Sequence, residues 1–204
     1  MSLVLWNCRG LGKASAVRDL KCLIRKSSSL GLFLMETKSD KMKMTKVARG
    51  SSFDNLEVVE ATRRAGGLAL FWSSVLNWKV VHKSRWIIGI LYVTPTRVVC
   101  NCWFCHCPAE RALRKLFWTK LSVAIRSESE TWCCVGDFND VVSQDEKMGA
   151  RWVTSKANFF LRAFITDVGA LDLGYSGPTF TWCNGREGID NFSERLNRVL
   201  ASPE

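Results

Sequence analysis

The chain has 204 residues, 47% of them hydrophobic, and a formal charge of +10. That length and apolar fraction suit one domain of ordinary size and exclude a disordered polar chain. No apolar run approaches the roughly 18 residues a bilayer-spanning helix needs, so no membrane partner is expected.

The charge is lopsided. Residues 1 to 50 hold eleven Lys and Arg against three acids, whereas residues 51 to 204 hold eighteen against sixteen. A basic N-terminal quarter suits a polyanionic partner, nucleic acid before acidic lipid. Nine cysteines with no secretory hydrophobic leader predict free thiols in a reducing, intracellular compartment. Nothing in the sequence calls for an obligate protein partner.

Leu3 to Trp6 reads as a buried strand ending in the two-glycine loop Asn7-Cys8-Arg9-Gly10-Leu11-Gly12. Val17, Leu20, Leu23 and Ile24 then form the apolar stripe of an amphipathic helix, with Arg18, Lys21, Arg25 and Lys26 outward. Leu32 to Met35 is a second buried strand running into Glu36. Two strands joined by a helix predict a parallel βαβ unit, which brings Asn7 and Glu36 to one edge of a sheet. Lys38, Lys41, Lys43, Lys46 and Arg49 follow, either as a basic patch beside that edge or as a solvated helix face.

Gly66-Gly67 opens a strand at Leu68 to Trp72, and further strands are expected at Trp78 to His82, Trp86 to Val93 and Val98 to Phe104. Such density implies an antiparallel portion and a mixed sheet. Cys100, Cys102, Cys105 and Cys107 do not match paired C-x-x-C zinc ligands, and strand alternation turns the first two away from the last two. Leu113 to Ile125 reads as a helix and Trp132 to Val135 as an apolar strand that stops at Gly136-Asp137-Phe138-Asn139-Asp140. Ser155 is the expected N-cap of a helix burying Phe159, Phe160 and Phe164. Thr179 to Trp182 reads as a short aromatic strand, and Glu194 to Leu200 as helical or extended. With no repeat and no linker, residues 1 to 204 are expected to be one domain.

Asn7, Glu36, Asp137 and Asn139 thus stand at strand ends. Oxygen donors without His or Cys suit Mg²⁺ or Mn²⁺, and a metal near basic, aromatic surface suits phosphodiester hydrolysis.

Several ordered segments carry a resemblance. Leu5-Trp6-Asn7-Cys8-Arg9-Gly10-Leu11-Gly12, Leu34-Met35-Glu36-Thr37-Lys38, Arg114 to Trp118, Val135 to Asn139, Asp172 to Gly177, Thr179 to Trp182 and Glu194 to Arg198 resemble, in that order, the endonuclease/exonuclease/phosphatase superfamily. The likeness is greatest to the N-terminal endonuclease domain of plant non-LTR (LINE-type) retrotransposons, whose reverse transcriptase follows. It implies an α/β four-layer α-β-β-α sandwich with two mixed sheets. By the same resemblance Glu36 would ligate Mg²⁺ with Asn7 beside it, Asp137 would orient or activate water, and Asn139 would hold the scissile phosphate. The resemblance also sets Trp182 against DNA, with a buried core position as the alternative, while the charge of the N-terminal quarter puts Arg9, Lys38, Lys41, Lys43 and Lys46 on the nucleic-acid face.

Three departures from the family stand against activity. Cys105-His106-Cys107-Pro108 replaces a Tyr-Gly-x-Pro loop, leaving a weak thiol donor at Cys105. Asn197 stands where an Asp would orient a catalytic His. A closing Ser-Asp-His motif has no counterpart before Glu204, which implies an incomplete domain lacking its last strand or strands. The expected protein is therefore an endonuclease with impaired or lost activity, nuclear if it acts on DNA and otherwise cytoplasmic. The alternatives are a non-catalytic nucleic-acid-binding remnant and a truncated product that folds poorly.

Overall fold

The computed structural model describes residues 2–49, 51–62, 65–94, 96–128, 131–149 and 159–204. In chain order the elements are β1 (Leu3–Asn7), α1 (Ala14–Ser27), β2 (Gly31–Met35), α2 (Lys41–Ala48), β3 (Asn55–Val59), β4 (Leu68–Trp72), β5 (Trp78–Lys83), β6 (Ile87–Val93) and β7 (Val99–His106). They continue with α3 (Arg111–Glu128), β8 (Trp132–Asp137), β9 (Lys147–Gly149), α4 (Phe160–Val168), β10 (Leu171–Asp172), β11 (Trp182–Cys183), β12 (Phe192–Glu194) and β13 (Asn197–Ala201). The fold is mixed α/β, and among the described residues its two larger sheets have four and six strands. The chain divides into two compact units, Met1–Phe104 and Cys105–Glu204.

In the first unit the four-stranded sheet has the order β1-β2-β4-β3. β1 and β2 are parallel, with Asn7 opposite Met35, so the expected βαβ unit is present. β4 runs antiparallel to β2 and to β3, which makes the sheet mixed. Every residue of β2 and β4 is buried, because both faces are covered. On one face Leu20 of α1 and Met44 and Val47 of α2 pack with Leu32, Leu34, Ala69 and Phe71. On the other, Phe33 meets Phe104 of β7 at 5.3 Å between ring centroids, and Trp72 meets Trp78 of β5 at 6.2 Å. A helix layer, a sheet and a second strand layer are therefore stacked here, buried mainly by aliphatic and aromatic side chains.

Helix α1 ends at Ser28 in a left-handed conformation, φ 45°, rather than running to Gly31, which is already the first residue of β2. Helix α2 is held at its start by two carboxylates. Asp40 accepts from the Lys43 N–H at 2.7 Å and Glu60 from the Lys41 N–H at 2.9 Å, satisfying donors that a helix N-terminus leaves open.

In the second unit β13 pairs antiparallel with β8, with Asn197 opposite Asp137, and β10 pairs with β13. Glu194 to Leu200 is thus extended rather than helical. Helices α3 and α4 lie together over this strand set: Trp118 packs on Phe138 at 5.4 Å and on Phe164 at 4.7 Å. A smaller sheet of order β11-β12-β9 projects the aromatic segment, and its β-structure covers only Trp182–Cys183 rather than Thr179 to Trp182. Ser155, the expected cap of α4, lies outside the described residues. Among them, the Asp140 carboxylate takes the Leu161 N–H at 3.1 Å in that helix's first turn.

Candidate functional site

The first group of predicted residues gathers where β1 and β2 end together. Asn7 donates a side-chain N–H to Glu36 Oε1 at 3.2 Å, and its own Oδ1 accepts from the Arg9 N–H at 3.3 Å. Lys38 places its Nζ 3.7 Å from Glu36 Oε2. Arg9 and Lys38 are exposed beside the half-buried Glu36.

The loops are strapped together by their backbones. Cys8 N–H reaches Met35 O and Leu11 N–H reaches Thr37 O, each at 3.0 Å, while Thr37 and Lys38 donate to Gly67 and Gly66. Glu36, Lys38 and Arg9 all hold left-handed φ values, 54°, 49° and 47°. For side chains of this kind that conformation is uncommon and persists where surrounding bonds impose it. Gly67 is required by closeness as well as by its φ of 89°, since a β-carbon there would lie 2.4 Å from Thr37 Oγ1. Burial pushes the Cys8 thiol up, and its Sγ donates to Met35 O at 3.2 Å.

The donors at this edge are one carboxylate and one carboxamide, both hard oxygen groups, and Glu36 is half-buried. That chemistry fits Mg²⁺ or Mn²⁺ and does not fit a soft metal.

A second group forms where β8 ends in the other unit. Asp137 is buried, 5% exposed, and accepts the Asn139 N–H at Oδ1 at 3.0 Å. Asn139, with φ 47°, donates a side-chain N–H to Cys107 O at 2.7 Å. An amide nitrogen carries two hydrogens, so a second remains for a ligand oxygen. Phe138 between them is fully buried and locks the turn, as a core residue there should. The Cys107 N–H donates to Asp137 O at 2.9 Å, binding the turn to the end of β7.

The two degenerate positions differ in character. Cys105 is fully buried, its thiol pushed well up by burial, and its backbone presses on Gly136. It serves as packing, not as a surface donor. Asn197 is half-buried and stands across from Asp137, its N–H bonded to Thr181 Oγ1 at 3.1 Å.

Trp182 is half-buried and packs at a tilt against Phe192, 5.3 Å between ring centroids, so it is neither a sealed core residue nor a free surface ring. Lys41 and Lys46 are exposed on α2 and Lys43 is half-buried, while Met44 and Val47 turn inward. The Cys100 and Cys102 sulfurs lie 3.8 Å apart on one face of β7, as alternation requires.

Sequence reasoning missed an ion network in the second unit. Arg198, whose side chain is wholly buried, pairs with Glu146 and, at 2.7 Å, with Asp172, and Arg195 pairs with the same two acids at 3.1 and 2.9 Å. The signal was present in the spacing of Arg195 and Arg198, but their partners are too far along the chain to be read from it.

No protein-family model matches the chain, and no curated protein matches it either. Solved structures do, and the fold they share is that of the endonuclease/exonuclease/phosphatase superfamily. The endonuclease domain of TRAS1, a telomere-specific non-LTR retrotransposon, has a TM-score of 0.65 at 12% identity, covering 98% of this chain and 84% of that one. An AP endonuclease from Leishmania major gives 0.71 at 14%, covering 98% and 78%. The Neisseria 3′ phosphatase NExo, bound to a product DNA hairpin, gives 0.69 at 15%, covering 98% and 86%.

Proposed function

We propose that the chain is a divalent-metal-dependent phosphodiesterase of the nuclease type, acting on DNA, derived from a retrotransposon endonuclease domain and weakened in activity. The observation that carries this reading is the pairing of Asn7 with Glu36 at the joined ends of two parallel strands, in a chain with the fold of DNA nucleases. The left-handed backbone at Glu36 and Asn139 supports it, because such strain collects at functional turns.

Glu36 and Asn7 would hold the ion, which supplies neutralising charge to a phosphate oxygen. Asp137 orients or deprotonates the attacking water, its buried carboxylate fixed by the Asn139 N–H. Asn139 offers its second amide hydrogen to the phosphate. Arg9 and Lys38 bring positive charge to the DNA backbone, and Trp182 presents an aromatic face.

Purified protein with supercoiled plasmid and Mg²⁺ tests this. Slow nicking is expected, with Asp137→Ala and Glu36→Ala lowering it about a hundredfold or more. Equal nicking by wild type and both variants overturns the reading. The buried Cys105 and the neutral Asn197 favour a second reading, a remnant that binds nucleic acid without turnover. For that one the same protein retards DNA on a gel with or without Mg²⁺ and cuts none of it.

A further inference from the structure

Both Asp137 and Asn139 are bonded to one residue, Cys107, which opens the turn between β7 and α3. That turn continues through Pro108, whose ring removes the backbone N–H, so its carbonyl is the only backbone handle by which it can be held. Arg114, in the first turns of α3, takes that handle. Its Nε donates to Pro108 O at 3.3 Å, one terminal nitrogen donates to Ala109 O at 3.0 Å, and the other lies 3.7 Å from Asp140 Oδ1.

We propose that Arg114 is the positioning residue for Asn139, fastening the Cys107–Ala109 turn to Asp140 and so setting where the Asn139 carboxamide points. This rests on the reading of Asn139 as the phosphate-holding group.

A guanidinium presents its N–H groups in a rigid plane, so three partners are fixed relative to one another as well as to Arg114. The Arg114 side chain is only 21% exposed and that of Asp140 8%, which limits competition from water. Asp140 spreads the connection further: it also accepts the Val141 N–H and the Leu161 N–H, both at 3.1 Å. The strained turn at Asn139 is therefore braced from both sides. Cys107 O holds its side chain, the next residue, Asp140, is anchored to the Val141 and Leu161 N–H groups, and Arg114 ties Asp140 to Pro108 and Ala109, which follow Cys107. Lysine cannot replace this arrangement, since one ammonium cannot reach two carbonyls and a carboxylate in a plane.

The test compares Arg114→Ala and Arg114→Lys with wild type by residue-resolved amide hydrogen exchange and by Mg²⁺-dependent plasmid nicking. In Arg114→Ala the Cys107 and Asn139 amides are expected to exchange at least about tenfold faster while Cys134 and Leu200 in the β8–β13 ladder keep their protection. The nicking kcat is expected to fall about tenfold to a hundredfold with KM within about twofold, as for a misplaced catalytic group. Arg114→Lys recovers little of either, and it carries the test if Arg114→Ala does not fold. Unchanged exchange at Cys107 and Asn139 overturns the proposal, and so does a raised KM at unchanged kcat, which would make Arg114 a direct DNA contact. If wild type does not nick, the functional reading fails on its own and the exchange data alone decide the role of Arg114.

Discussion

Gly136 sits directly against the carbonyl of Cys105: a β-carbon on Gly136 would lie 1.8 Å from that oxygen, closer than any non-bonded contact allows. The obstacle is backbone, so no side chain can swing aside. The φ of 153° at Gly136 adds a conformation that other residues rarely adopt. This close approach lets the Cys107 N–H reach Asp137 O in the next step of the chain and delivers Asp137 to the sheet end.

Gly136→Ala is therefore expected to lose at least about 3 kcal/mol of stability, in the range of the most disruptive single substitutions. Urea denaturation followed by tryptophan fluorescence measures it. A loss under about 1 kcal/mol would mean that the β7 and β8 backbones separate readily, and the turn would not be rigid.

The ion network of Arg195 and Arg198 sets an acid limit on the fold. Burial raises the Asp172 carboxyl, but the Gly174 N–H, Arg198 and Arg195 outweigh it and hold it below the usual carboxylate range. A carboxyl depressed in the folded state contributes stability that is present above its unfolded value near 3.8 and is lost as pH falls through its lower folded value. Asp140 runs the other way. Burial raises it, so its contribution is greatest below the unfolded value and fades as pH rises through the folded one. Asp172→Asn should flatten the acid side of the stability curve below about pH 4, and Asp140→Asn should not. Unfolding midpoints measured from pH 2 to pH 7 check this, and an acid limb unchanged in Asp172→Asn would show that the network does not set it.

The parts of the fold legible in the sequence are those decided locally. β1, α1 and β2 follow from apolar runs flanking one amphipathic stripe, and a βαβ connection then leaves Asn7 and Glu36 little choice of neighbour. β3 was not legible: Asn55 to Val59 is an edge strand with one fully buried residue, and its pairing with β4 supplies the order that its own pattern lacks. β9 and β12 are three residues each and exist by pairing with one another. Glu194 to Leu200 was ambiguous because two arginines three apart fit a helix face as well as a strand end. Antiparallel pairing of Asn197–Ala201 with β8, far away in sequence, decides it. At the site, residue types at strand ends were legible, whereas the braces were not. Arg114 is remote from Asn139 in sequence, and carbonyl acceptors such as Pro108 O carry no side-chain signature.

The basic patch on α2 makes a prediction independent of catalysis. Met44 and Val47 anchor the helix inward and Asp40 and Glu60 cap it, so Lys41 and Lys46 can be neutralised without disturbing its packing, and Lys43 at little cost. If these three lie on phosphates, each contact releases close to one counterion from duplex DNA. Lys41→Gln, Lys43→Gln and Lys46→Gln together should then reduce the slope of log affinity against log salt by about 2 to 3. Fluorescence anisotropy of a labelled duplex at several salt concentrations, with Ca²⁺ in place of Mg²⁺, reads it directly. A slope that stays the same while affinity weakens equally at every salt concentration would take the lysines off the phosphates.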